Sequence, residues 1–155
     1  KNIFVFDLNL REPHFTYSKI EQLIEKADIL KINEDEANVL KALYVPNLEG
    51  LESFTTFLLG RFNLKGVLVT LGEHGALANF DSHIYKVNGV KVKVKDTVGS
   101  GDSFLAAFIS KYIEGLDIEE CLLFGCATGA FIATCSGANP EYEVSDIYKL
   151  LEQNK

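Results

Sequence analysis

Apolar residues along this chain fall into short solid blocks separated by stretches of helical spacing. Asn2–Phe6, Asp28–Ile32 and Gly66–Leu71 are near-continuous apolar runs, the pattern of strands covered on both faces in a parallel sheet. Between them, Ser18–Lys26 sets Ile20, Leu23 and Ile24 on one helical face, and Glu34–Leu43 does the same with Ala37, Leu40 and Leu43. A further helix is predicted over Leu51–Phe62. After the turn Gly72-Glu73-His74-Gly75 the pattern predicts a strand at Ala76–Phe80 and two more near Ile84–Val87 and Val90–Val94. The last third reads as helices over about Asp102–Glu114, Ile118–Thr134 and Val144–Glu152. Strands alternating with helices, then a helical end, argue for an α/β fold with a largely parallel sheet. The paired runs around Gly72–Asn88 argue for a local antiparallel edge. No repeat, low-complexity stretch or linker divides the chain, so residues 1–155 read as one domain.

The densest chemistry lies between the alternating run Val90-Lys91-Val92-Lys93-Val94 and the helix that begins near Phe104. There the chain reads Asp96-Thr97-Val98-Gly99-Ser100-Gly101-Asp102-Ser103-Phe104. The first N–H groups of a helix have no intrahelical partner, and the macrodipole favours an anion there. Glycines let a ligand approach the backbone closely. A carboxylate in such a turn repels a phosphate unless it has a task, such as accepting the proton of a hydroxyl that attacks the phosphate. The plainer reading is an Asp that caps a helix behind an ordinary glycine turn.

Other polar positions cluster at strand ends. Asn33-Glu34-Asp35-Glu36 follows a predicted strand and has the spacing of a capping box. Asp7, Asn9 and Arg11 alternate after the first strand and can share one side. Thr70-Leu71-Gly72-Glu73-His74-Gly75 closes the strongest strand, where α/β folds place ligands; as a plain turn it needs no ligand. His74 is assigned no role. Gly125 and Gly129 sit inside a predicted helix, where each costs about 1 kcal/mol against alanine and close helix packing is the simplest reason for them.

Composition narrows the classes. A chain of 155 residues, 47% hydrophobic and 11% aromatic, can build a real core. A net charge of −7 argues against nucleic acid and against an anionic membrane surface. The three cysteines, Cys121, Cys126 and Cys135, are odd in number and lack metal-ligand spacing. All three lie within the apolar stretch Cys121–Cys135, read as a buried helix, and are read as small buried residues of a reducing, cytoplasmic setting. No signal peptide is visible at the start, since Asp7 and Arg11 interrupt the apolar run, and Cys121–Cys135 is too short for a membrane span.

The run from Asp96 to Phe104 resembles the signature D-T-x-G-A-G-D-x-F of the ribokinase-like carbohydrate kinases of the phosphofructokinase-B type, with Ser100 where the signature has alanine. The resemblance implies a ribokinase-like three-layer α/β/α fold with a mostly parallel sheet. It covers nearly the whole chain but only the C-terminal half of the family pattern. The early strands, the sugar-binding residues and the β lid are therefore expected to be missing, and the fragment to be inactive alone. The implied activity is ATP-dependent phosphorylation of a sugar primary hydroxyl, most like a fructokinase. Asp102 is the implied base, with the N–H groups of Gly99, Ser100, Gly101 and Asp102 stabilising the transferring group.

The same resemblance assigns the remaining positions. Asn33 and Glu36 match its N-x-x-E motif near Mg2+, with Glu36 reaching the metal through water; the capping reading stands beside this one. Thr70, Gly72 and Gly75 match the segment along the nucleotide phosphates and ribose. Arg11 falls in a D-x-N-x-R segment and is a candidate phosphate or substrate contact. Cys126 lies on the helix beside the adenine pocket, where the family often has asparagine. Backbone carbonyls around Asp96, Val98 and the loop Ser136–Pro140 are candidates for a monovalent cation such as K+. Ribose, a 2-keto-3-deoxy sugar acid or a nucleoside are alternative acceptors.

A non-catalytic nucleotide-binding module is the reading from another class. An exposed sheet edge would then favour a homo-oligomer. A dinucleotide-binding oxidoreductase fits poorly, since Phe104 stands where its third glycine would be, and no Gly-Lys-Ser/Thr loop is present.

Overall fold

The computed structural model describes residues 2–11, 13–137 and 140–154. Five strands form one sheet in the order β1-β2-β3-β4-β5. They are β1 (Val5–Asp7), β2 (Ile29–Asn33), β3 (Gly66–Thr70), β4 (Ala76–Phe80) and β5 (His83–Val87). β1, β2 and β3 are parallel, with Asp7 opposite Lys31 and Asn33 opposite Thr70. Parallel neighbours need long crossovers. The helix α1 (Tyr17–Ile24) supplies the first; α2 (Glu34–Tyr44) and α3 (Leu51–Phe62) supply the second. The β3–β4 link, 71–75, is too short for a crossover, so β4 runs back along β3. Asp81 and Ser82, both with positive φ (49° and 64°), make the two-residue hairpin from β4 to β5. The α/β class with a mostly parallel sheet and an antiparallel edge is thus as the hydrophobic pattern predicts.

The chain divides into two compact units, 1–71 with 77–85, and 72–76 with 86–155. The first holds nearly all of the sheet and one core, in which Ile24, Leu30, Ile32, Leu40, Phe54, Leu58 and Val69 are fully buried. β2 and β3 are buried through their first four residues, which explains their unbroken apolar runs. The second unit is helical: α4 (Ser100–Glu114), α5 (Ile118–Ala133) and α6 (Val144–Gln153). Ala107, Phe124, Ala127 and Ile147 form its smaller core, against which Val90, Phe131 and Leu151 pack.

Three expectations shift. β1 runs over Val5–Asp7 rather than Asn2–Phe6, and Phe4 is left 64% exposed. Cys135 lies just past the end of α5 rather than within it. Val90–Val94 pairs with no strand among the described residues. Val90 packs on the helical core while Val94 is 56% exposed, Lys91 N–H donates to Asn154 Oδ1 at 3.1 Å, and Lys95 N–H donates to the Ala133 carbonyl at 2.7 Å. An extended strap bonded to helix ends carries the same period-two signal as a strand. The Asp96–Phe104 run therefore follows a strap, not a sheet strand.

Candidate active site

In the helical unit the strap turns into α4 at Gly99, whose φ of 82° is the left-handed conformation that glycine adopts without a Cβ penalty. No side chain caps this helix. Ser100 N–H donates to the Thr97 carbonyl at 3.2 Å and Ser103 N–H to the Gly99 carbonyl at 2.9 Å. The N–H groups of Gly101 and Asp102 lie in the first turn, where helix geometry supplies no partner four residues back. Asp102 is the third helical residue and is exposed. It borders a cavity of about 430 Å³ lined by Gly99, Asp102, Ser103, Ala106, Ile132, Pro140 and Tyr142. Ser103 and Ala106 follow Asp102 on one helical face, a spacing the sequence does contain. Ile132 and Tyr142 come from distant positions and carried no sequence signal.

Asp96 braces this turn. Its Oδ1 accepts from Val98 N–H at 3.0 Å and its Oδ2 from Gly137 N–H at 3.3 Å, tying the turn to the loop after α5. In the cation candidate Ser136–Pro140, Ala138 and Asn139 lie outside the described residues. Gly129 of α5 is explained by contact: a Cβ there would stand 2.9 Å from the Ser100 carbonyl oxygen, so any larger residue pushes on the first turn of α4. Cys126, on the same helix, is half-buried, and desolvation pushes its thiol up to about 12. It is a neutral thiol that offers a ligand no charge.

Ser100 is the one departure from the signature, and its hydroxyl is buried without a hydrogen-bond partner among the described residues. An orphaned buried hydroxyl costs about 1–3 kcal/mol, and alanine keeps the backbone N–H. Ser100→Ala is expected to raise the melting temperature by roughly 3 °C in a thermal scan. A fall would show that the hydroxyl has a partner in solution.

The sheet unit holds a second set of residues at the carboxyl ends of its parallel strands. Thr70 ends β3 beside Asn33, which ends β2 and caps α2. The capping box is complete: Asn33 Oδ1 accepts from Glu36 N–H at 2.8 Å, and Glu36 Oε2 accepts from Asn33 N–H at 2.8 Å. Glu34, Asp35 and Glu36 in this first turn also complement the helix dipole. At the end of β1, Asp7 takes both Lys31 Nζ bonds at 3.1 Å, and Arg11 Nε donates to Asn9 Oδ1 at 3.3 Å. Lys31 was not singled out from the sequence. A lone lysine in an apolar run was its only signal, and here it is buried with its partner. Gly72 begins a single 3-10 turn that Gly75 follows. Gly72, Gly75 and Cys126 belong to the helical unit, Thr70, Asn33, Glu36 and Arg11 to the sheet unit.

Comparison with known proteins decides the family. The model of the pfkB family carbohydrate kinases matches residues 1–144. This chain belongs to the pfkB family of carbohydrate kinases. It is 34% identical over 137 residues to a 2-dehydro-3-deoxygalactonokinase of Haloferax volcanii, covering 85% of this chain and 42% of that protein. It is 31% identical over 147 residues to fructokinase-2 of Solanum lycopersicum, covering 87% and 43%. Among solved structures, ribokinase of Thermotoga maritima superposes with a TM-score of 0.80 at 27% identity, over 97% of this chain and 49% of that one. A fructokinase of Vibrio cholerae, solved with fructose, ADP and calcium ion bound, gives 0.77 at 25% identity, over 96% and 50%. The pfkB chain described here thus spans about half the length of the relatives it matches, and its fold is ribokinase-like. Among its described residues no helix is long and apolar enough to cross a membrane.

Proposed function

We propose that this chain carries the base and the nucleotide side of an ATP-dependent sugar kinase, with the primary hydroxyl of fructose as the first candidate acceptor. The observation that carries the reading is the α4 start, where an exposed carboxylate stands beside first-turn N–H groups that no side chain caps. Asp102 takes the proton from the sugar hydroxyl, and the N–H groups of Gly101 and Asp102 hold the charge that builds on the transferring phosphoryl group. In the sheet unit Thr70 is a proposed nucleotide contact; in the helical unit Gly72 and Gly75 are, with Cys126 a neutral thiol proposed beside the base. Arg11 contacts phosphate or substrate.

Among the described residues no group of three or more His, Cys, Asp or Glu side chains could hold a metal. Asn33 and Glu36 would hold a magnesium ion through water, since magnesium keeps several of its waters. Such an ion would supply positive charge against the charge that builds during transfer. A potassium ion at the carbonyls near Asp96 and Val98 belongs to the same reading. A 2-keto-3-deoxy sugar acid is the second candidate acceptor, favoured by the 34% identity to the haloarchaeal enzyme.

Calorimetric titration with Mg-ADP in potassium buffer tests the nucleotide side directly. Micromolar binding is expected from the chain as it stands. No binding from a chain that circular dichroism shows to be folded would sink the assignment of the nucleotide site to these residues. The chain by itself is expected to phosphorylate no sugar. Robust ADP release with any member of a sugar panel would overturn that expectation.

A further inference from the structure

Glu36 is only 6% exposed, and each of its carboxylate oxygens accepts a backbone N–H from a different part of the sheet unit. Oε2 accepts from Asn33 at 2.8 Å, which closes the capping box. Oε1 accepts from Leu10 at 2.9 Å, a residue 26 positions upstream. A capping box alone is served by glutamate or glutamine. The second bond changes that requirement. A glutamine side chain has one acceptor oxygen, and its nitrogen only donates. Turned either way, it sets a donor against one of the two N–H groups. A carboxylate serves both.

The segment held by this second bond carries Arg11. Leu8 N–H donates to the Lys31 carbonyl at 3.1 Å, and the Asp7–Lys31 ion pair fixes the residue before it. Asn9 then takes a φ of 45°, a conformation that a non-glycine residue keeps when its surroundings over-determine it. Leu10 is the next fixed point, immediately before Arg11, and its side chain packs on the sheet-unit core. The Arg11 guanidinium in turn bonds Asn9.

We propose that Glu36 is a positioning residue: by accepting from Leu10 and Asn33 together, its carboxylate ties the strap after β1 to the start of α2 and sets how Arg11 is presented. What this does for phosphate or substrate binding rests on the proposed role of Arg11; the tie itself does not. It adds to the assignment of Glu36: each carboxylate oxygen accepts one N–H and keeps a lone pair for water.

Residue-resolved amide hydrogen exchange of the 155-residue chain tests the tie with no ligand present. In Glu36→Gln, one of the two amides, Leu10 or Asn33, is expected to exchange about tenfold faster or more, as for the loss of one charge-assisted bond. In Glu36→Ala both accelerate. The β2–β3 ladder amide of Leu68 keeps its wild-type rate in Glu36→Gln, and the Arg11 Nε–H resonance shifts, which a helix cap alone would not cause. Wild-type exchange at both Leu10 and Asn33 in Glu36→Gln overturns the proposal. So does an equal acceleration of Leu68, which would mean general loosening. Should Glu36→Ala fail to fold, the near-isosteric Glu36→Gln still decides. Failure of Mg-ADP to bind would sink the assignment of the nucleotide site and leave this result standing.

Discussion

Asp102→Asn is expected to lower phosphoryl transfer by about 10²–10⁴-fold, the usual contribution of a positioned general base. The assay is sugar-dependent ADP release by a form of the protein that turns over. The substitution is close to isosteric, so the loss should appear in kcat, with Mg-ADP affinity nearly unchanged. Structure supports reading such a loss as chemistry. Asp102 is exposed, it is not the cap of α4, and among the described residues no hydrogen bond or ion pair holds its carboxylate. Neutralising it forfeits only its interaction with the helix dipole, about 0.3–1 kcal/mol. A melting temperature within a few degrees of wild type is therefore expected alongside the kinetic loss. Wild-type turnover in Asp102→Asn would remove Asp102 from the mechanism and leave the run Gly99–Asp102 as a phosphate-binding turn.

Gly75→Ala is expected to cost the fold about 2–5 kcal/mol. Two terms add. The φ of 97° lies where an L-residue is strained, worth about 1–2 kcal/mol. A Cβ at 75 would also overlap the backbone of the strap after β5, standing 2.6 Å from both the Asn88 carbonyl carbon and the Gly89 nitrogen. Backbone cannot swing aside as a side-chain tip can, so overpacking adds about 1–3 kcal/mol. For a chain of this size the sum corresponds to a fall of roughly 10 °C in melting temperature. Gly72→Ala is the matched control: its φ is 57°, but nothing lies within 4 Å of the new Cβ. It should lose only the conformational term, about 1–2 kcal/mol. Equal losses for the two variants would show that the backbone contact at 75 does not decide its cost.

Much of this was written in local pattern. The unbroken apolar runs of β2 and β3, the helical spacing of α2 to α6 and the order of elements follow from periods of two and 3.6, which each segment carries by itself. The capping box at Asn33 and Glu36 is a four-residue device and was legible for the same reason. So was the glycine turn into α4, since its chemistry sits within nine consecutive residues.

What the sequence could not supply depends on atoms brought together from far apart. Val90–Val94 alternates like a strand, yet whether a ladder partner lies beside it is a tertiary fact, and its polar groups go to α5 and α6 instead. Gly129 looks like a helix defect until the Ser100 carbonyl is found where its Cβ would stand. The cavity beside Asp102 takes Ile132 and Tyr142 from beyond the next loop. Glu36 reads as a cap from four residues, but its second bond to Leu10 exists only because parallel pairing sets the ends of β1 and β2 side by side. Local spacing determined the elements, their order and the residues with chemistry to offer. Only packing decided which of those residues meet, because a side chain's partners are set by distance in space and not by separation along the chain.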